Sequence, residues 1–121
     1  MKLAGIYGIF VGVLMSAQWG FFLATGQVPE LQTEPYRIAF HLAAELITAA
    51  GLVVAGVALL RRLAWGAASY LFFAGMLVYS VIASPGYFAQ QGQWALVGMF
   101  AVLLGLAVSA ALSVARTCKT L

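Results

Sequence analysis

Four apolar runs, each as long as a bilayer crossing, leave this chain few ways to fold. They occupy residues 3–25, 38–60, 65–84 and 94–115. A helix rises 1.5 Å per residue, so about 20 residues cross the ~30 Å hydrocarbon layer. Hydrocarbon offers no water to backbone amides, so a spanning segment must bond its own backbone as a helix. Composition agrees: 64% of the 121 residues are hydrophobic and 7% are charged, whereas a soluble domain is about a quarter charged. The expectation is one domain over residues 1–121, an all-α integral membrane four-helix bundle.

Three breaks separate the runs. The first, GQVPELQTEPYR, holds two prolines and two glutamates, with Pro35 placed to open the second helix at its first position. The second is the tight turn around Arg61 and Arg62. The third is PGYFAQQGQ, read as a wet loop after a Pro-Gly stop. Short connections make successive helices antiparallel neighbours, giving up-down-up-down order. Lys2, Arg61, Arg62, Arg116 and Lys119 fall at one end, and Arg37 alone at the other. The positive-inside rule then places both termini in the cytoplasm and predicts a multi-pass protein of the cytoplasmic membrane.

Net charge is +3, but the basic residues lie at helix ends and form no stripe, so no nucleic-acid partner is expected. The expected partners are the lipid bilayer and a second copy or another membrane protein. Trp19, Phe21, Phe22, Tyr36, Tyr87, Phe88 and Trp94 gather near the outer ends and read as an interfacial belt. The single cysteine, Cys118, excludes an internal disulfide and dithiol exchange; it reads as an incidental thiol.

The first run could instead be a secretory leader after Lys2. It exceeds a 7–15-residue leader core, however, and no clean small-x-small cleavage site follows. It also carries small residues at Gly8, Gly12, Ser16 and Gly20, a spacing that permits close helix contact. The fourth run has a similar stripe at Ala101, Gly105, Ser109 and Ser113.

Function centres on Glu45. A charged residue at the middle of a spanning helix costs roughly +2.5 to +3.5 kcal/mol on insertion scales, so one retained there marks a site by default. At about 100° per residue, Arg37, His41, Glu45 and Thr48 share one quarter of the helix surface. Leu52 and Ala55 continue that face, so polarity ends near mid-membrane. Gln18 lies seven residues from the outer end of the first run, and Glu45 seven from the start of the second. Tyr79, Ser80 and Ser84 lie near the outer end of the third. An outward cavity lined by Gln18, His41, Glu45, Tyr79 and Ser80 follows if these faces converge.

Three uses of such a cluster compete. It can be interhelical glue, with Glu45 bonded to Gln18 or a hydroxyl. It can bind a small solute or couple its transport to protons. As an embedded enzyme or metal site it would need dimerisation, because one His and one Glu fall short of the three or four ligands of zinc. Haem finds one axial His and no second ligand. No cofactor and no enzymatic activity are expected.

The stretch TGQVPELQTEPYRIA followed by FHLAAELITAAGLVVAGVALL resembles a segment of small uncharacterised prokaryotic four-helix membrane proteins. The resemblance covers the first loop and second helix; it implies the bundle and brings no activity. Small multidrug resistance transporters match in length and helix number, but their glutamate lies in the first helix, where this chain has Gln18. Fluoride channels match in size without their polar-track motifs here.

Overall fold

The computed structural model describes residues 2–119, with side chains through Thr117. The thiol of Cys118 and the charge of Lys119 lie outside the described side chains. Among the described residues six helices follow one another: α1 (Lys2–Ala24), α2 (Glu30–Thr33), α3 (Pro35–Leu60), α4 (Gly66–Ala83), α5 (Pro85–Gln90) and α6 (Trp94–Lys119). Among the described residues there is no strand. Four segments of the described residues are long and apolar enough to cross a membrane: Lys2–Ala24, Pro35–Leu60, Gly66–Gln90 and Trp94–Thr117.

Two breaks contain more structure than the sequence suggests. Pro35 opens α3 as expected. The 85–93 segment, read as a loop, instead begins with the six-residue α5. Ser84 keeps right-handed helical backbone angles at this junction, and proline is compatible with a first helical position. Pro85 therefore ends one helix and starts the next without an intervening coil.

Helix ends share one device. At the end of α3 the Leu63 N–H bonds to the Ala58 carbonyl at 2.9 Å and the Arg62 N–H to the Leu59 carbonyl at 3.1 Å. This is a Schellman closure, and it requires a left-handed residue, here Arg62 at φ 56°. The same closures after α1 and α5 fall on Gly26 and Gly92.

α1 packs chiefly on α3, α3 on α4, and α4 on α6, while the α1–α6 contact is thin. The pairs are antiparallel. Gly5 meets Gly56 near one end of α1 and Gly12 meets Ala49 further along; likewise Gly66 meets Ala58, and Ser80 meets Glu45. A Cβ at Gly12 would lie 2.5 Å from the Ala49 carbonyl oxygen, so two backbones touch there directly. The predicted stripe on the first helix is thus half right. Gly8 and Gly12 are buried contacts and Gly5 joins them, but Ser16 is exposed and Gly20 meets open space. On α6, Ala101, Gly105, Ser109 and Ser113 are all exposed, and among the described residues nothing lies within 4 Å of a Cβ built at Gly105.

The core is layered. Near the Arg61–Arg62 turn, Ala4, Ala55, Leu59, Tyr70, Ala74 and Val114 pack together. Above them lie Val11, Leu52, Leu77, Val81 and Ala107. The third level, toward α2 and α5, is polar.

Candidate functional site

The polar level follows from the helical repeat. Positions seven apart face nearly the same way, so the inward stripes of three helices continue outward. Ala4 and Val11 lead to Gln18, Leu59 and Leu52 to Glu45, and Tyr70 and Leu77 to Ser84, with Ser80 one turn before it. Three helices thus end their apolar stripes in polar side chains at the same end of the bundle.

Glu45 is 7% exposed and Ser80 9%. The Ser80 hydroxyl donates a 2.6 Å hydrogen bond to Glu45 Oε1 across the α3–α4 interface. His41 Nε2 stands 3.8 Å from the same oxygen, with its side chain 46% exposed. That distance exceeds a hydrogen bond, so His41 flanks the carboxylate on the outward side. Trp19 of α1 packs edge-on against His41, with ring centroids 5.8 Å apart. Phe22 packs edge-on against Trp19 in turn.

The second carboxylate oxygen behaves differently. Oε2 accepts no hydrogen bond from any described residue. Yet no buried side-chain nitrogen or oxygen among the described residues lacks a partner. Oε2 therefore reaches accessible surface, although the residue as a whole is nine-tenths buried. One oxygen is anchored and the other is open.

The remaining expected residues divide. Arg37 is exposed and pairs with Glu34 at 3.2 Å, one turn away, rather than with Glu45. Thr48 is buried, but its hydroxyl bonds back to the Ala44 carbonyl at 2.7 Å, so it supports the helix and adds no free group to the site. Gln18 is half-buried and shares no hydrogen bond with Glu45 among the described residues. The α1–α3 register explains this. Gly12 lies opposite Ala49, so four residues outward Ser16 lies opposite Glu45, and Gln18 is two residues, about 3 Å, nearer the end.

Tyr79 is a correction. It is 75% exposed and cannot line a cavity with Ser80. Adjacent helical residues point about 100° apart, so burying Ser80 turns Tyr79 outward. Trp19 is the residue that the sequence reading assigned elsewhere, to the aromatic belt. Its signal was available: it follows Gly5 and Gly12 at seven-residue steps, on the face of α1 that meets α3. Two shallow concavities lie away from this cluster, one on α1 around Phe10 and one on α6 around Ser113.

No group of three or more His, Cys, Asp or Glu that could hold a metal ion occurs among the described residues. What the geometry offers is an anchored carboxylate with one free oxygen, a half-exposed imidazole beside it and an aromatic wall. It can accept a proton, a hydrogen-bond donor or a cation.

Fold and site together define, over the described residues, a small all-helical protein with four candidate membrane-spanning segments and one buried carboxylate near one end of the bundle. The chain belongs to the family described as a domain of unknown function (DUF8058), whose profile matches residues 1–120. No curated protein and no solved structure matches it.

Proposed function

We propose that this chain is a non-enzymatic multi-pass protein of the cytoplasmic membrane that binds a small solute from the outer side at Glu45 and His41, alone or in proton-linked transport. The observation that carries this reading is Glu45 Oε2, an unpartnered and accessible oxygen on a nine-tenths buried carboxylate. A residue retained only to join helices would have both oxygens engaged or sealed, since an open charge in a span adds cost without adding a bond. The charge distribution supports the orientation: Lys2, Arg61, Arg62 and Arg116 lie at the opposite end from Glu45.

Carbodiimide coupling of glycine ethyl ester, mapped by mass spectrometry, tests this reading. Right-side-out vesicles should give a labelled Glu45, and inverted vesicles should not. Modification of Glu30 and Glu34 without Glu45 in right-side-out vesicles would rule out an outward site.

One observation favours a second reading, that of an accessory protein for a membrane partner. The 2.6 Å Ser80–Glu45 bond ties α3 to α4 as interhelical glue would. Glu45→Gln separates the two. Because the amide oxygen still accepts from Ser80, the fold is kept in both readings and flux decides: a solute site loses solute-linked proton movement, whereas a glue residue leaves any flux unchanged.

A further inference from the structure

We infer that the solute seated at Glu45 is a primary ammonium: a small alkylamine in its protonated form, donating N–H to Oε2. The inference rests on the outward-binding reading above and adds the chemical class. Charge decides first. An ionised carboxylate inside an apolar span is stabilised by a countercharge, and the fixed cations among the described residues are committed or remote. Arg37 pairs with Glu34. Lys2, Arg61, Arg62 and Arg116 belong to the far end of the bundle. His41 stands 3.8 Å from Oε1, beyond hydrogen-bond reach, and donates no hydrogen bond to Oε2. An anionic solute would meet a carboxylate and, among the described residues, no free guanidinium or ammonium.

Donor count decides next. Among the described residues no three His, Cys, Asp or Glu side chains converge, and divalent cations need several oxygen ligands or three to four nitrogen and sulfur ligands. One free carboxylate oxygen suits a cation that brings its own hydrogen-bond donors. An ammonium bonded to a carboxylate forms the shorter, stronger charge-assisted kind of bond. Shape is consistent with the alkyl portion of such a solute. Trp19 and Phe22 form an aromatic wall beside His41, at the outward side of Glu45, and an aromatic face also attracts a nearby cation.

Infrared difference spectroscopy on the full chain in lipid nanodiscs tests the assignment, with n-butylammonium chloride as probe. The expected result is a saturable shift of a carboxylate stretching band that disappears in Glu45→Gln. Binding followed by calorimetry should weaken about 30-fold or more in that variant, as for removal of one member of a buried charge pair. Tetramethylammonium, which has a charge but no N–H, should give no such shift at matched ionic strength in the unaltered protein. That control needs no variant and holds even if Glu45→Gln fails to fold. Equal responses to both cations, or no saturable response to butylammonium, would overturn the assignment. Carbodiimide labelling of Glu45 from outside together with a silent butylammonium titration would keep the outward site and discard the ammonium. An unlabelled Glu45 would discard both.

Discussion

Ser80 and Glu45, 35 positions apart in the chain, are joined by a 2.6 Å hydrogen bond at the level where the bundle's apolar core ends. The bond holds one carboxylate oxygen against α4 and leaves the other without a hydrogen-bond donor among the described residues and not fully buried. Anchoring and availability are therefore divided between two atoms of one side chain.

Ser80→Ala removes the only hydroxyl bonded to Glu45 among the described residues. Interhelical hydrogen bonds in membrane bundles average about 0.6 kcal/mol and reach about 1.7. A charged acceptor left without its donor belongs at the upper end of that range. The expected loss is ~1–2 kcal/mol in reversible unfolding in mixed micelles. Glu45→Gln should cost less than Ser80→Ala, because the amide oxygen still accepts from Ser80. The reverse order would mean that the serine bond is not what anchors this residue.

Gly12→Ala places a methyl carbon 2.5 Å from the Ala49 carbonyl oxygen and 2.6 Å from Val53 Cγ2. Backbone cannot yield as a flexible side chain can, so α1 must lift from α3, at the ~1–3 kcal/mol typical of overpacking. Gly20→Ala lies on the same helix, with nothing within 4 Å of the new carbon. It should be neutral or stabilising by up to about 1 kcal/mol through helix propensity. Thermal melts of the two variants in one detergent give the comparison, and equal destabilisation would contradict the α1–α3 register.

The long helices and the inward turn of Glu45 were legible because each depends on local periodicity: length in apolar residues for the first, 100° per residue for the second. Ser80 was named for its depth near the outer end of the third run, together with Tyr79, and not for its facing direction. Tyr79 was misread because proximity in sequence stood in for facing direction, and adjacent helical positions diverge. Trp19 was obscured by its type, since an aromatic residue near a helix end fits the interfacial belt equally well. α5 was hidden by the Pro-Gly pair, which reads as a stop although proline also opens helices. The α6 stripe shows the remaining limit. Small residues permit close approach, but periodicity does not say to what, and a Cβ at Gly105 meets nothing within 4 Å among the described residues.

Two tyrosines give a matched test of the bundle's thinnest seam. The Tyr7 hydroxyl donates a 2.8 Å hydrogen bond to the Leu103 carbonyl, linking α1 to α6 where few other contacts do. Tyr7→Phe should cost ~0.5–1.5 kcal/mol and speed amide exchange at the α1–α6 seam. Tyr79 is exposed, so Tyr79→Phe should stay within about 0.5 kcal/mol of the parent and leave butylammonium affinity unchanged. A loss of affinity in Tyr79→Phe would restore that residue to the site.

Arg62 occupies the left-handed position of the α3 closure at φ 56°, where Gly26 and Gly92 serve the other two closures. A side chain in that conformation costs roughly 1 kcal/mol relative to glycine. Glycine also gives the unfolded chain more freedom, which offsets part of the relief. Arg62→Gly should therefore raise unfolding stability by no more than about 1 kcal/mol, while Arg62→Ala should not raise it at all. Under the proposed cytoplasmic-membrane reading the arginine has an explanation outside the folded state: it would supply positive charge at the turn between the second and third candidate spans, where orientation is set. Cysteines introduced in the turns, probed with a membrane-impermeant maleimide in intact cells, would read that out. Arg61→Ala/Arg62→Gly should increase the share of chains with the 61–64 turn labelled from outside, and single Arg62→Gly should do so less. Unchanged labelling in both would leave the strained arginine without a topological reason.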